Sequence, residues 1–376
     1  MTESTLDIGV LGYRFMGKAH ANAFERLPMF FEDAPALNRD VIVGRDETAL
    51  ADAADRLGFD RYATDWRKVI DDVDVFYNLG PNHVHAEPSI AALEAGTPTF
   101  CEKPLAPTLS EAEEMAAAAT DTGVTAGIAF NYRFVPAIQY AKQLLENGAL
   151  GEIHHFRGRY LQDWLADPEA PWSWRTDAEM AGSGALGDLG AHTIDLARFL
   201  VGDIDRVSGH LTTFVDERPI EGEDGTRPVT VDDAYSAQVE FADGTVGTLE
   251  ASRFANGHKN DHTIEIQGSK GSLRFSLERL NEIELLREDS RGYETILVTG
   301  EDDPYIEHWW PPGHVIGWEH TFVHENYEFL SAVSSHSEYE PSFQDGLAVQ
   351  RVIDAVQRSD ERGAWTTVES HAEIRK

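Results

Sequence analysis

Leu6-Asp7-Ile8-Gly9-Val10-Leu11-Gly12-Tyr13-Arg14-Phe15-Met16-Gly17-Lys18 is the stretch that decides the architecture. Leu6–Leu11 is a short, mostly apolar run ending at a glycine, which reads as a buried strand. A helical pattern follows from Lys18 to about Leu27. Strand, glycine turn and helix in this order are the setting that cradles a dinucleotide. The first glycine permits the tight turn, the last allows close helix–strand packing, and the pyrophosphate sits on the helix N-terminus. Gly12 and Gly17 occupy the first and last places. Arg14 replaces the middle glycine and can bring a guanidinium to phosphate. Phe15 and Met16 complete the turn. Taken alone, the stretch also fits an ordinary strand-to-helix turn.

Working outward, the pattern repeats. Val41-Ile42-Val43-Gly44 reads as a strand, then a helix from Ala49 to Leu57. Val73–Leu79 is a third strand, ending at Gly80-Pro81-Asn82. Ser89–Ala95 is helical, Thr97–Cys101 a strand, Ser110–Thr122 a helix and Val124–Phe130 a fifth strand. Such alternation implies a parallel, doubly wound sheet with ligands at the carboxyl ends of its strands. Those ends carry Gly12, Gly44-Arg45, Pro81-Asn82, Glu102-Lys103-Pro104 and Asn131-Tyr132-Arg133. An acid after the second strand would hold the ribose diol of NAD. The chain has Gly44-Arg45-Asp46 instead, and a guanidinium suits a 2′-phosphate, so the reading favours NADP over NAD. Asp46 keeps NAD open, and Arg45 stacking on adenine is the other role for that side chain.

From Gly151 the pattern changes to alternating strands joined by turns such as Ala242-Asp243-Gly244, the signature of antiparallel hairpins. Two more helices, near Glu319–Val333 and Phe343–Glu361, and a last strand at Trp365–Val368 end the chain. The fold class expected is α/β: an N-terminal Rossmann doubly wound parallel sheet, residues 1–133, binding NAD(P). A C-terminal α+β domain with a large open antiparallel sheet, residues 134–376, binds substrate and oligomerises. An open sheet needs its second face covered, often by another subunit.

Lys103, Asp188 and His192 carry the chemistry. Asp188 and His192 sit four apart in Gly187-Asp188-Leu189-Gly190-Ala191-His192-Thr193-Ile194-Asp195, one turn apart on a helical pattern. An imidazole can take a hydroxyl proton as the carbinol carbon gives hydride to a nicotinamide. Asp188 can orient that imidazole or bond a sugar hydroxyl. Lys103, as an ammonium, can stabilise developing alkoxide charge. Each has a plainer role: Lys103 pairing with Glu102, Asp188 capping its helix, His192 packed in the core. In these settings together, catalysis is the better reading. Trp164, Trp172 and Trp174 can wall a sugar ring; core packing is their alternative. Gln162, Asp163, Arg175, Asn131 and Arg133 can bond hydroxyls. His83, His85, His308 and His314 lack the coherent ligand set of a zinc site, so no metal is expected.

The chain has 66 acidic and 31 basic residues, a net charge of −35, and only seven of the basic residues are Lys. Nucleic acid is excluded as a partner, because phosphate binding needs a basic surface. The acids are spread along the chain, and their repulsion destabilises a compact state unless salt screens it. This predicts a protein of a high-salt cytoplasm, such as that of a halophilic archaeon; a merely acidic protein of a mesophile is the alternative. No apolar run approaches the ~18–20 residues of a membrane helix. The N-terminus has no basic, signal-like segment, and the single Cys101 rules out an internal disulfide. A cytoplasmic location is expected.

With these residues placed, the chain resembles the Gfo/Idh/MocA family, the glucose–fructose oxidoreductases, inositol 2-dehydrogenases and their relatives. Phe-Met-Gly-Lys-Ala-His at 15–20, Pro81-Asn82-His83-Val84-His85, Glu102-Lys103-Pro104 and the Gly-Asp-x-Gly-x-His motif at 187–192 carry the likeness. It implies a Rossmann domain, an open-sheet domain, a lysine–aspartate–histidine site, and dimers or tetramers. It adds His85 and Glu102 to the cofactor residues. Phe130-Asn131-Tyr132-Arg133, Tyr160–Trp164, Ser173-Trp174-Arg175 and Ala181–Asp188 are similar to the pyranoside 3-dehydrogenases of the levoglucosan-oxidising kind. That implies NAD(P)-dependent oxidation of a secondary CH–OH at C3 of a pyranose or anhydrosugar. The alternatives are inositol, xylose or glucose oxidation at another carbon, or a non-catalytic, dinucleotide-binding sugar sensor.

Overall fold

A computed structural model describes residues 5–369. The chain divides into two compact units: the residues up to Phe134 with Gly317–Leu347, and Val135–Ile316 with the chain from Ala348 onward.

In the first unit, β1 (Leu6–Leu11), β2 (Leu37–Val43), β3 (Arg61–Ala63), β4 (Val75–Asn78), β5 (Thr99–Cys101) and β6 (Ala126–Ile128) form one sheet. Its order is β3-β2-β1-β4-β5-β6 and every pair is parallel. The direction of winding switches between β1 and β4, the place where open α/β sheets bind ligands. The connections carry α1 (Phe15–Phe30), α2 (Glu47–Leu57), α3 (Ala86–Glu94) and α4 (Leu109–Thr122). Local chemistry sets their ends. Asp46 accepts from Ala49 N and starts α2, and Gly58, at φ 73°, stops it. Thr108 Oγ1 accepts from Glu111 N and caps α4, and its hydroxyl donates to the Glu111 carboxylate. Val41, Val43, Val69, Ile70, Val73, Phe76 and Ala92 pack as one core cluster. β4, β5 and β6 are shorter than the apolar runs suggested, whereas β2 is longer. The run 124–130 yields only β6, because a 3₁₀ turn at Asn131–Phe134 follows at once.

The second unit opens with α5 (Pro136–Glu146), a helix the sequence reading missed. Then come β7 (Ile153–Leu161), α6 (Ala178–Ala181), α7 (Ala191–Leu200) and β8 (Ile204–Thr212). A small ribbon of β9 (Glu217–Pro219) and β10 (Thr226–Pro228) leads to β11 (Ala234–Phe241), β12 (Val246–Ser252) and β13 (Asp261–Gly268). β14 (Gly271–Ser276), β15 (Glu282–Arg287) and β16 (Glu294–Leu297) extend the sheet. The large sheet is nine-stranded, ordered β16-β15-β14-β13-β7-β12-β11-β8-β17 with β17 at Thr366–Thr367. It is mixed, which corrects the antiparallel expectation. The chain leaves β7 through α6 and α7, crosses to β8 and returns by two antiparallel steps, so β12 arrives parallel to β7. One face is apolar, with Phe156, Tyr235, Val239, Leu249, Ile264 and Ile266 buried. α7 lies so close that a Cβ on Gly158 would fall 2.4 Å from Thr193 Cγ2.

The chain then returns to the first unit. α8 (Trp318–Ser335) sets Phe322 5.4 Å from the His20 ring and Phe329 4.8 Å from Phe100. α9 (Phe343–Arg362) carries the chain across the boundary. A single break at 133/134 therefore does not describe the molecule: residues 317–347 complete the first unit, because α8 supplies apolar rings that its core lacks without them.

Candidate active site

The glycine turn after β1 fits a dinucleotide. Gly12 has φ 111°, and a Cβ there would lie 2.5 Å from Leu79 O. A Cβ on Gly17 would lie 2.2 Å from Gly12 O. Both positions require glycine for close approach. α1 starts at Arg14 with no side-chain cap and no acid in its first turn, which leaves its N–H groups for an anion. Arg14 is exposed, Met16 half-buried, and Phe15, 64% exposed, stacks on Trp318 at 5.7 Å. At the end of β2 a Cβ on Gly44 would sit 2.5 Å from the Tyr13 ring, so no acid fits there without moving it. Arg45 is exposed, and Asp46 is occupied as the α2 cap.

The loops after β4 and β5 carry buried polar groups that hold their shape. His85 is fully buried, with Nδ1 3.0 Å from Pro104 O and Nε2 3.0 Å from Gly80 O. It ties two loops together, and burial lowers its pKa. Glu102 is also turned inward: Oε2 accepts from Lys103 N at 3.1 Å and Oε1 lies 3.6 Å from His20 Nε2. It supports the strand end from beneath, and its carboxylate is buried. Asn78, missed by the sequence reading, donates to Val84 O at 2.9 Å and His85 O at 3.0 Å, shaping the turn that carries Pro81 and Asn82. Lys103 is half-buried at the carboxyl end of β5.

Asn131 and Arg133 were expected at the sugar. Both are buried, Asn131 donating to Thr321 Oγ1 at 2.8 Å and Arg133 to Asp345 Oδ1 at 3.2 Å. The 3₁₀ turn places them against the returning α8 and α9.

In the second unit, Asp188 stands in a π-helical turn, Leu186–Gly190, that runs into α7. This replaces the regular helix expected from the spacing, and such turns cluster at functional sites. Asp232 anchors its entry: its carboxylate accepts from Gly184 N at 2.7 Å and Leu186 N at 2.8 Å. Burial raises the Asp232 pKa against those two donors. Gly190 lets the Tyr235 ring approach; a Cβ would meet it at 2.6 Å. His192 is 7% exposed, with the Tyr160 ring 6.1 Å away. Tyr160 also stacks on His262 at 4.6 Å. Burial pulls His262 down to about 3, so that imidazole is neutral beside Thr193, which lies 3.1 Å from it.

The Trp-rich loop belongs to the same unit. Gln162 donates to Asn260 Oδ1 at 2.7 Å, which also accepts from Tyr160 OH. Asp163 pairs with Lys259 at 2.7 Å, which lowers its pKa. Trp164 is 43% exposed, the Arg175 guanidinium lies 4.4 Å from the Trp174 ring, and Trp172 donates to Pro228 O at 3.1 Å. Lys103 belongs to the first unit, Asp188 and His192 to the second. Among the described residues no group of three His, Cys, Asp or Glu could hold a metal, and no helix is long and apolar enough to cross a membrane.

Residues 6–130 match the oxidoreductase family with an NAD-binding Rossmann fold, and residues 138–274 match the GFO/IDH/MocA C-terminal domain. A levoglucosan dehydrogenase of Pseudarthrobacter phenanthrenivorans is 43% identical over 96% of this chain and 98% of its own. The crystal structure of an oxidoreductase domain protein from Kribbella flavida aligns with a TM-score of 0.94 at 47% identity, covering 98% of this chain and 100% of that one. A levoglucosan dehydrogenase in complex with NADH and levoglucosan aligns with a TM-score of 0.94 at 43% identity, over 98% of this chain and 100% of that one. Likeness of this extent, spread over both domains, makes the chain a member of the Gfo/Idh/MocA family of oxidoreductases.

Proposed function

We propose that the chain is a sugar dehydrogenase that oxidises a secondary hydroxyl, at C3, of a pyranose or anhydrosugar such as levoglucosan. His192 takes the hydroxyl proton. Asp188, one turn earlier, orients the imidazole and favours its protonated form. Lys103 stabilises negative charge growing on the reacting oxygen. A bound dinucleotide supplies the hydride acceptor. Trp164, Trp174, Arg175 and Gln162 hold the ring and its hydroxyls. The observation that carries this reading is the 43% identity with a levoglucosan dehydrogenase over 96% of the chain.

The cofactor is an NAD-type dinucleotide. We read its 2′ position as phosphorylated, because Gly44 leaves no room for an acid and Arg45 is exposed beside it. Gly12, Arg14, Phe15, Met16, Gly17, Pro81 and Asn82 make the cradle. The outer face of the nine-stranded sheet presents Arg157, Arg159, Glu265, Arg274 and Glu282 around a depression of about 430 Å³. We read this face as covered by a second copy, Arg meeting Glu across a twofold; light scattering that returned only monomer would refute it.

Nicotinamide absorbance over levoglucosan, glucose, xylose and inositol, in molar KCl, tests the reaction, and NMR of the product locates the ketone. Turnover on a sugar with the carbonyl at C3 is the expected outcome. Tight dinucleotide binding without turnover on any of them would leave a sugar sensor instead.

A further inference from the structure

Two guanidinium groups, Arg218 and Arg253, are fully buried in the second unit, and the chemistry above uses neither. A buried cation is costly and persists only where it is held from several sides. Arg218 donates to Leu165 O at 2.7 Å and Asp167 O at 2.9 Å, pinning the far side of the Trp-rich loop. Arg253 is more centrally placed. Its Nη1 donates to Arg175 O at 3.1 Å and its Nη2 to Asp232 O at 2.8 Å. Its Cζ lies 5.7 Å from the Trp164 ring. Its charge is balanced by the buried Asp233 carboxylate 3.8 Å away.

Asp232 makes the second connection. Its main-chain oxygen holds Arg253, while its side chain holds Gly184 N and Leu186 N, the entry to the turn that carries Asp188. Gly184 is part of the joint: a Cβ there would fall 1.6 Å from Asp232 O and 2.6 Å from Arg253 Nη2. One guanidinium fork thus links the loop bearing Trp164 and Arg175 to the backbone that aims Asp188.

We propose that Arg253 is a positioning residue for catalysis and sugar selection: it fixes Trp164 and Arg175 and, through Asp232, the turn of Asp188, so that these segments move as one body. The inference rests on the sugar-dehydrogenase reading of those residues. Lysine is a poor replacement, since a point charge cannot reach both carbonyls as a planar fork does.

Arg253→Lys is compared with the unaltered protein by hydrogen exchange of residues 162–177 and 184–190, by levoglucosan kinetics and by NADH binding. Exchange is expected to quicken in both segments together. The levoglucosan KM is expected to rise about tenfold while NADH affinity stays within about twofold, a split that general loosening would not produce. Quickening in one segment only, or in neither, overturns the proposal. If Arg253→Lys does not fold, Asp232→Asn carries the same exchange test, with both segments again expected to loosen. An unaltered protein that turned over no sugar would sink the sugar-dehydrogenase reading, and exchange would still decide the role of Arg253.

Discussion

In the proposed mechanism His192 and Lys103 act on different parts of the same event, so their losses are expected to differ accordingly. Removing a general base typically costs 10²–10⁴ in rate, so His192→Ala is expected to lower kcat by about that factor. Lys103→Ala removes a charge that stabilises an oxyanion and is expected to cost about 10²–10³. Both variants keep NADH affinity on this account; near-normal kcat in either contradicts the roles. Arg45→Ala is expected to weaken NADP about tenfold and leave NAD almost unchanged, the loss of one charge-assisted contact. Equal effects on the two dinucleotides would remove the case for a 2′-phosphate. His262 gives a pH dependence. Its pKa is lowered from 6.5 to about 3 by burial, so the unfolded chain binds the proton more readily. Its contribution to stability is complete above about pH 6.5 and drains away as pH falls toward 3. A melting temperature that fell less steeply with acid in His262→Gln would confirm this, and an unchanged slope would refute it. Lys103, Asp188 and His192, to which the proposal assigns the chemistry, stand out in the sequence because each lies in a short, distinctive motif. The protein partners of His85, Glu102, Asn131 and Arg133 were not legible, because a sequence shows residue types and hides partners. The partner of Asn131 lies 190 positions away and that of Arg133 212.

Among the elements, long periodic helices and the parallel strands were legible to within a few residues, because burial of one face writes itself into spacing. The π-helical turn at Leu186–Gly190 was not. It depends on Asp232, 46 and 48 positions from the N–H groups it holds, and on Tyr235 pressing against Gly190. β3 and α5 escaped for a simpler reason. β3 is three residues long and largely exposed, and α5 begins on Pro136, where the two domains were expected to join directly. Gly190→Ala tests the π turn. The added methyl meets the Tyr235 ring, and overpacking of this kind costs about 1–3 kcal/mol. Lower melting temperature and lower kcat with unchanged NADH binding are expected. Trimming Tyr235 to Leu in the same chain is expected to restore part of both, and failure of that rescue would show that the turn does not depend on this contact.

At the scale of the whole molecule, charge dominates. With a net charge of −35, screening is expected to stabilise the fold, so the unfolding midpoint rises as KCl approaches molar concentration. A midpoint that fell with KCl would end the high-salt reading. The class of fold was legible from the order of its elements, whereas the mixed sheet and the path of the C-terminal segment were not, since both depend on where the chain goes after a long excursion. That excursion bears on synthesis. A ribosome delivers six strands of the first unit early and α8 only after some two hundred further residues, a count fixed by the span from β6 at Ala126–Ile128 to Trp318–Ser335. Until then the nascent dinucleotide fold has Phe100 without Phe329 and Asn131 without Thr321. The part translated first therefore waits for a segment made near the end of synthesis, and the cell must keep it from sticking to its neighbours in the meantime.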